Sequence, residues 1–125
     1  MIRVLLALAL LAPSAPSPVV AWKTKSFGTV LATPGHLALY TWRREPRGTI
    51  RCTGSCAKAW PPLIVSAGAA VPKHVAGVKG AFGTITRPDG RRQVTFAGRA
   101  LYTYEGDTPT KILCDGVDGW FVVRV

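Results

Sequence analysis

The chain has 125 residues, and its 16 lysines and arginines against six aspartates and glutamates give a formal net charge of +10. This length allows one small domain with a modest core and excludes a second domain. The positive charge predicts salt-dependent attraction to anionic polymers, such as envelope polysaccharides, lipid head groups or nucleic acid. The arginines are dispersed rather than gathered in one run, which argues against a specific nucleic-acid-binding arm.

The first residues have the pattern of a secretory signal peptide. Arg3 supplies a positive charge, residues 4–12 form an uncharged apolar run, and small residues precede a cleavage site after Ala21. A membrane anchor is the alternative, but prolines interrupt the segment before it reaches the roughly 20 apolar residues of a spanning helix. No cysteine follows the run, so no lipobox is seen. We predict a signal peptide over residues 1–21 and an exported chain over 22–125, secreted, periplasmic or in the cell envelope, with no transmembrane anchor after cleavage.

The remaining chain is rich in strand signals and poor in helix signals. Residues 37–42 form a strand with apolar residues on both faces, which predicts burial on both sides. One short helical turn is predicted near Ser55–Trp60, with Ser55 as its N-cap and two prolines ending it. A hairpin over 93–104 and a closing strand over 120–125 follow. These elements predict a single all-β domain of sandwich-like form.

An internal repeat organises this domain. The tetrapeptides FGTV at 27–30 and FGTI at 82–85 each lead to an Ala-Leu-Tyr-Thr-aromatic segment, at 38–42 and 100–104. Each copy then runs through a cysteine-bearing loop to a tryptophan and an apolar run. Such self-similarity predicts two β-rich repeats that share one core. We place the first repeat at about 27–65, a connector at 66–81 and the second, intertwined repeat at about 82–125.

Three cysteines are present in a chain that we expect to be exported. Cys52 and Cys56 are four residues apart beside the predicted helical turn, close enough for a disulfide bond, and thiols in oxidising compartments pair. Cys114 is then left over, which predicts a free thiol, an intermolecular bridge in a homodimer, or a buried inert side chain. Zinc held by the cysteines with His36 or His74 would need a standard ligand spacing, which the sequence lacks. We predict no metal site and no cofactor.

The sequence resembles a known family in its aromatic and cysteine motifs. Residues 102–107 read Tyr-Thr-Tyr-Glu-Gly-Asp, and residues 40–45 read Tyr-Thr-Trp-Arg-Arg-Glu. Together with C-x-x-x-C-x-x-x-W-P-P at 52–62, these segments resemble the secreted-repeat family of bacterial predicted lipoproteins with the Yx(FWY)xxD motif, over about residues 27–125. The resemblance implies an exported or lipid-anchored envelope protein of unestablished molecular function. The chain departs from the pattern in lacking a lipobox, in having Glu45 for aspartate and in carrying Cys114.

The motif residues have two interpretations. Large aromatic side chains that share a strand face supply core area and edge-to-face contacts, and an acidic side chain in the following loop can accept backbone N–H bonds. The alternative is an aromatic-lined ligand site with Asp107 as its polar anchor. Both interpretations concern Tyr40, Trp42, Glu45, Trp60, Tyr102, Tyr104, Asp107 and Trp120.

No catalytic motif is found in the sequence. There is no G-x-S-x-G elbow, H-E-x-x-H pair, P-loop or dinucleotide fingerprint. We therefore predict a non-catalytic binding or structural module with a basic surface. The alternative is a thiol- and disulfide-linked redox or metal-binding protein that uses Cys52, Cys56 and Cys114, although no C-x-x-C motif or thioredoxin-like pattern surrounds them.

Overall fold

Short antiparallel strands dominate the computed structural model, which describes residues 4–5 and 16–125. Most of the predicted signal peptide lies outside the described residues. The all-β prediction is confirmed, since one five-residue helix accompanies the strands. In chain order the elements are β1 (Val20–Lys23), β2 (Thr29–Ala32), β3 (Tyr40–Trp42), α1 (Ser55–Ala59), β4 (Ile64–Val65), β5 (Phe82–Thr86), β6 (Arg92–Phe96), β7 (Arg99–Ala100) and β8 (Trp120–Val122).

The strands of the described chain form several small antiparallel sheets. β1 pairs with β2, β3 pairs with β8, and β6 lies between β4 and β5 while also pairing with β7. The predicted hairpin across residues 97–98 is therefore the β6–β7 turn. Because β3 pairs with the closing strand β8, the end of the second repeat packs into the first.

The strand leading into β3 separates two hydrophobic clusters. Tyr40 belongs to an aromatic-rich cluster, and Leu39 belongs to an aliphatic cluster on the opposite side. Successive side chains of a strand point to opposite faces, so a strand with two apolar faces serves both clusters. Both residues are fully buried, which agrees with the expectation that this strand is covered on both sides.

The two repeats exchange their closing segments. Leu39 donates to the Leu31 carbonyl (2.9 Å), Leu31 donates to Val123 (2.8 Å), and Val123 donates back to Leu39 (3.0 Å). This ring joins two segments of the first repeat to the last segment of the second. A matching ring of 2.9–3.0 Å bonds joins two segments of the second repeat to the last segment of the first, through Leu101, Val94 and Leu63.

The matching rings align the two hairpins. Leu31 lies opposite Ala21 in the β1–β2 register, and Val94 lies opposite Thr84 in the β5–β6 register. β1 is therefore the structural counterpart of β5, and β2 is the counterpart of β6. The first structural repeat includes β1, so it extends further toward the N-terminus than residue 27. The tetrapeptides FGTV and FGTI fall at different places, one leading into β2 and the other opening β5.

The residue before β1 is part of the core. Val19 is 1% exposed and shares the aliphatic cluster with Phe82, its structural counterpart, which is the first residue of β5. The predicted cleavage point after Ala21 therefore lies inside β1. Cleavage there would remove Val19 and half of the strand from the fold.

The helical turn is present as predicted, but its first residue differs. Gly54 precedes α1 with a φ of 58°, and no side-chain capping bond is made. Ser55 is therefore the first helical residue and not the N-cap. The positive φ explains the change, since glycine adopts that conformation without the steric cost that a side chain adds. Within the described residues, no helix is long and apolar enough to cross a membrane.

Candidate functional site

The two motif tyrosines meet where the repeats cross. Tyr40 and Tyr102 exchange backbone hydrogen bonds, with N–O distances of 2.8 and 3.0 Å. Each hydroxyl then reaches the acidic residue of the other repeat. Tyr40 donates to Asp107 Oδ2 at 2.6 Å, and Tyr102 donates to Glu45 Oε2 at 2.7 Å. The two motifs therefore bind each other.

Each acidic residue also fixes the loop that follows it. Glu45 Oε2 accepts hydrogen bonds from the backbone N–H groups of Arg51 (2.8 Å) and Cys52 (3.1 Å). Asp107 Oδ1 accepts one from the N–H of Leu113 at 2.9 Å. Buried carboxylates are stable only when such donors replace water. Each of the two carboxylates therefore links the repeats and also holds the cysteine-bearing loop that follows it.

Burial shifts the pKa values of this network. Burial raises the pKa of both Tyr40 and Tyr102, and the hydrogen bond to a carboxylate raises each further. Burial also raises the pKa of Asp107, although its bond from Tyr40 opposes the rise. These directions follow because the interior disfavours the charged form of each group. The hydroxyls therefore act as neutral donors to the carboxylates.

The two tyrosine–carboxylate pairs differ in what lies behind them. Arg87, 4% exposed, reaches the Cys52 carbonyl at 2.7 Å and Gln93 Oε1 at 2.7 Å. Arg87 and Gln93 also oppose the rise in the pKa of Tyr102. No basic side chain of the described residues hydrogen-bonds the carboxyl group of Glu45 or of Asp107. Neither Arg87 nor Gln93 was predicted from sequence as a site residue.

Four aromatic rings stack behind the tyrosines. Trp60 and Trp120 are nearly parallel, with centroids 3.9 Å apart, and Trp42 stacks on the far face of the pair at 5.1 Å from Trp120. Tyr104 tilts against Trp60 at 4.7 Å. The two motif tyrosines add edge-on contacts, Tyr40 to Trp60 and Tyr102 to Trp120. Stacked and edge-on pairs of this kind each add about 0.5–1.5 kcal/mol beyond area burial.

All eight residues of the predicted motif set therefore fall in one connected cluster. Six of them are at most 8% exposed, and only Trp42 and Tyr104 are half-buried. A site that bound a ligand through these aromatic faces would need more free surface than the cluster leaves. The arrangement accounts for the motif as a core that joins two repeats.

The cysteines divide as predicted between a bonded pair and a single thiol. Cys52 and Cys56 form a disulfide bond with a Cα–Cα distance of 5.1 Å, and Cys52 is fully buried. Cys114 is free and half-buried. Burial raises the pKa of the Cys114 thiol, and the hydrogen bond with Cys114 raises the pKa of Tyr104. No group of three His, Cys, Asp or Glu residues that could hold a metal occurs within residues 4–5 and 16–125.

Two clefts lie between the hairpin turn of one repeat and the loop of the other. The first, which we call the open cleft, is about 360 Å³ and lies between residues 22–27 and the side chains of Pro109, Thr110 and Ile112. The second, the arginine cleft, is about 320 Å³ and lies between residues 53–58 and 87–91. The two clefts are structural counterparts, because the β1–β2 turn lines the open cleft and the equivalent β5–β6 turn lines the arginine cleft.

The position that distinguishes the clefts is the first residue after each hairpin's leading strand. Thr24 donates its N–H to Gly28 (2.9 Å), as Arg87 does to Arg91 (2.8 Å). The Thr24 hydroxyl also bonds within its own turn. The Arg87 guanidinium instead donates to the Cys52 carbonyl. Sequence alignment of the tetrapeptides pairs Arg87 with Ala32, so only the strand register reveals Thr24 as its counterpart.

Comparison with known proteins identifies the second repeat. Residues 83–124 match a family described as a secreted repeat of unknown function. The second repeat is similar to this family, and the resemblance inferred from sequence is confirmed over these residues. No curated protein and no solved structure matches the chain. Secretion is thus supported by the family, while molecular function is left to the geometry.

Proposed function

We propose that this protein is a non-catalytic module of the cell envelope that binds anionic polymers through a basic surface. The observation that carries the proposal is the use of its carboxylates. Of the six acidic residues, Glu45 and Asp107 are buried with the motif tyrosines. Asp89 and Asp115 pair with Arg91 and Arg124. Two thirds of the negative charge is therefore unavailable to neutralise other cations.

The basic side chains, by contrast, are mostly on the surface. Within the described chain, arginine or lysine takes part in two ion pairs. Surface charge of one sign creates a potential that concentrates counter-ions and attracts anionic polymers, and salt weakens that attraction. The exposed cations that make no ion pair in the described part are Lys23, Lys25, Arg43, Arg44, Arg47, Arg51, Lys58, Lys73, Lys79 and Lys111.

The placement of the reactive side chains supports a role without catalysis. The two buried carboxylates accept several hydrogen bonds each, and the buried arginine donates to a carbonyl and an amide. Groups held in this way stabilise the fold and are shielded from substrate. A catalytic acid or base needs access to the atom whose proton it moves.

The cysteines support a structural role over a redox role. The disulfide partner Cys52 is fully buried and Cys56 is half-buried, which restricts the access of an attacking thiolate to the bond. Burial raises the pKa of Cys114, which lowers the thiolate fraction on which reactivity depends. We therefore expect a monomer with one free thiol. Intact mass after alkylation, with and without reduction, would detect a Cys114-linked dimer if one forms.

Salt-dependent retention tests the proposal. Purified protein should be retained on immobilised polygalacturonate and on vesicles that contain phosphatidylglycerol, and increasing salt should release it. Phosphatidylcholine vesicles and a neutral dextran matrix are the uncharged controls. Retention that does not change with salt, or equal retention on neutral matrices, would exclude an electrostatic binding module.

A further inference from the structure

We infer that the open cleft binds an acidic sugar unit of an anionic polysaccharide. This inference rests on the proposed function and assigns it a site and a ligand class. The cleft lies beside the β1–β2 turn and is lined by aromatic, hydroxyl and lysine side chains. Its volume of about 360 Å³ falls in the range of small-ligand sites. The following observations distinguish it from the arginine cleft.

The first observation is that the open cleft has apolar walls. Trp22 and Phe27 are half-buried and line the cleft with Ile112. Trp22 also stacks on His36, with centroids 5.0 Å apart and planes inclined by 12°. The stacking holds the indole in place, and His36 itself has a φ of 64°, which is uncommon for a residue other than glycine. A fixed aromatic wall suits the apolar face of a sugar ring.

The second observation is the charge of the lining. Lys23 and Lys25 are exposed at the cleft, and the lining residues include no carboxylate. The arginine cleft instead includes Asp89, which is bonded to Arg91 at 2.8 Å. An anion that enters the open cleft therefore meets two cations and no repulsive charge.

The third observation concerns the equivalent residues Arg87 and Thr24. Arg87 lines the arginine cleft and donates its guanidinium hydrogen bonds to the Cys52 carbonyl and to Gln93, so this position serves packing. The Thr24 hydroxyl bonds within its own turn. At the open cleft, Ser26 and Thr110 supply hydroxyl groups for a polyol.

A uronate polymer fits these features better than other anions. Its ring has an apolar face for Trp22 and Phe27, its carboxylate matches the two lysines, and its hydroxyls match those of the lining. Polyphosphate has the charge without the ring, and methyl-esterified polygalacturonate has the ring without the charge. These two polymers are therefore the controls for the two halves of the recognition.

The experiment measures the affinity of the full chain for oligogalacturonate at fixed salt, by titration calorimetry. Lys23→Gln/Lys25→Gln should weaken binding about tenfold, equivalent to 1.4 kcal/mol. Lys73→Gln/Lys79→Gln removes the same charge from exposed positions elsewhere and should change affinity less than about threefold. Thr110→Trp should block the cleft without changing charge, and Thr49→Trp is its exposed control. Thermal unfolding of every variant confirms that it is folded.

The outcomes separate this inference from the proposed function. Loss of oligogalacturonate binding in both cleft variants, with both controls unaffected and the methyl ester inactive, supports the open cleft. If the two double lysine variants lose affinity equally, or if polyphosphate binds as tightly as oligogalacturonate, the open cleft is not the binding site. Binding would then be due to a diffuse basic surface. Preferential binding of a single-stranded RNA in the same cleft, or undiminished binding of the ester, overturns the uronate assignment. No binding to any anionic polymer rejects both proposals.

Discussion

Tyr102–Glu45 and Tyr40–Asp107 occupy equivalent places in the two repeats, but only the first is connected to a buried arginine. Both pairs link one repeat to the other and fix a loop. Cys52 donates its N–H to Glu45 and accepts a hydrogen bond from Arg87 at its carbonyl. The hydrogen bond between tyrosine and acid is therefore the feature that both repeats share. The buried arginine supports the loop of one pair.

The same division applies to the loops and clefts. In the first repeat, the loop after the acid is closed by a disulfide; in the second, the corresponding cysteine is free. The arginine cleft faces the disulfide-bonded loop, and the open cleft faces the other. We interpret one end of the molecule as reinforced and the other as available for binding. Substitutions in the corresponding parts of the two repeats test this difference.

Removing the buried cation should destabilise the protein more than any change at its counterpart. Arg87→Met leaves the buried Cys52 carbonyl and the Gln93 side-chain oxygen without their guanidinium donor. Because each buried acceptor left without a donor costs about 1–3 kcal/mol, we expect a loss of about 3 kcal/mol. Thr24→Val, the equivalent change in the other repeat, removes hydrogen bonds of one turn and should cost about 1 kcal/mol. Urea unfolding measures both free energies.

A double variant is the control for this prediction. Adding Gln93→Leu to Arg87→Met should cost less than the sum of the single changes, because both changes remove the same hydrogen bond. If Arg87→Met and Thr24→Val lowered the free energy of unfolding equally, the Arg87 guanidinium would contribute no more than the turn hydrogen bonds of Thr24.

Truncating β1 should also be costly, although the sequence pattern places a cleavage site within it. A chain that begins at Trp22 lacks Val19, whose burial contributes about 1.5–3 kcal/mol, and half of the hairpin strand. A chain that begins at Pro16 retains both and should have higher stability. We accordingly expect N-terminal sequencing of the exported protein to give a start before Val19. If the mature protein began at Trp22 and were as stable as the longer chain, β1 would not be the structural counterpart of β5.

The two cysteine-bearing loops should respond differently to substitution. Replacing Cys52 and Cys56 by alanine removes a short cross-link worth about 2 kcal/mol. Cys114→Ala loses one half-buried thiol and should cost less than about 1 kcal/mol. Thermal unfolding of the reduced and oxidised wild type provides the control, since reduction should reproduce the first effect. If Cys114→Ala lowered the free energy of unfolding more than loss of the Cys52–Cys56 disulfide, the Cys114 side chain would contribute more to stability than the disulfide.

The smallest effects concern the replacement of each acid by its amide. Both oxygens of Asp107 accept a hydrogen bond, whereas Oε2 of Glu45 accepts the bonds from Arg51 and Cys52 and the shorter bond from Tyr102. One amide oxygen can take the place of Oε2 in Glu45→Gln but cannot replace both acceptors in Asp107→Asn. We therefore expect Asp107→Asn to cost about 1 kcal/mol and Glu45→Gln to cost less. Urea unfolding of the two variants at neutral pH tests this order.

The pH dependence gives a second readout for Asp107. Its pKa in the folded state is raised above the usual value of 3.8 by burial. The native state therefore holds a proton that the unfolded state has lost, and the stability from this group is present below the unfolded pKa and lost as pH rises through the folded one. The difference in unfolding free energy between wild type and Asp107→Asn should therefore change over the pH range between the unfolded and folded pKa values of Asp107. A difference that is independent of pH would exclude the raised pKa.

Parts of the site were accessible from sequence because they depend on local patterns. The four-residue spacing of Cys52 and Cys56 predicts their disulfide, and the alternation around Tyr40 predicts a strand buried on both sides. Arg87 was not predicted to be buried, since it lies in an Arg-Pro-Asp-Gly turn and arginine is ordinarily exposed. Its role depends on Cys52, which lies 35 residues away.

The sequence by itself determined the β-rich class, the two repeats, the disulfide and the excess of positive charge. These follow from side-chain period, spacing and composition, which are properties of neighbouring residues. Three features became visible in the folded molecule alone: each tyrosine bonds the acid of the other repeat, Val19 belongs to the fold, and the two clefts differ in their lining residues. Those features depend on strand register and on exchanged closing segments. Register is fixed by long-range packing of both faces, where a shift of one residue would exchange core and surface.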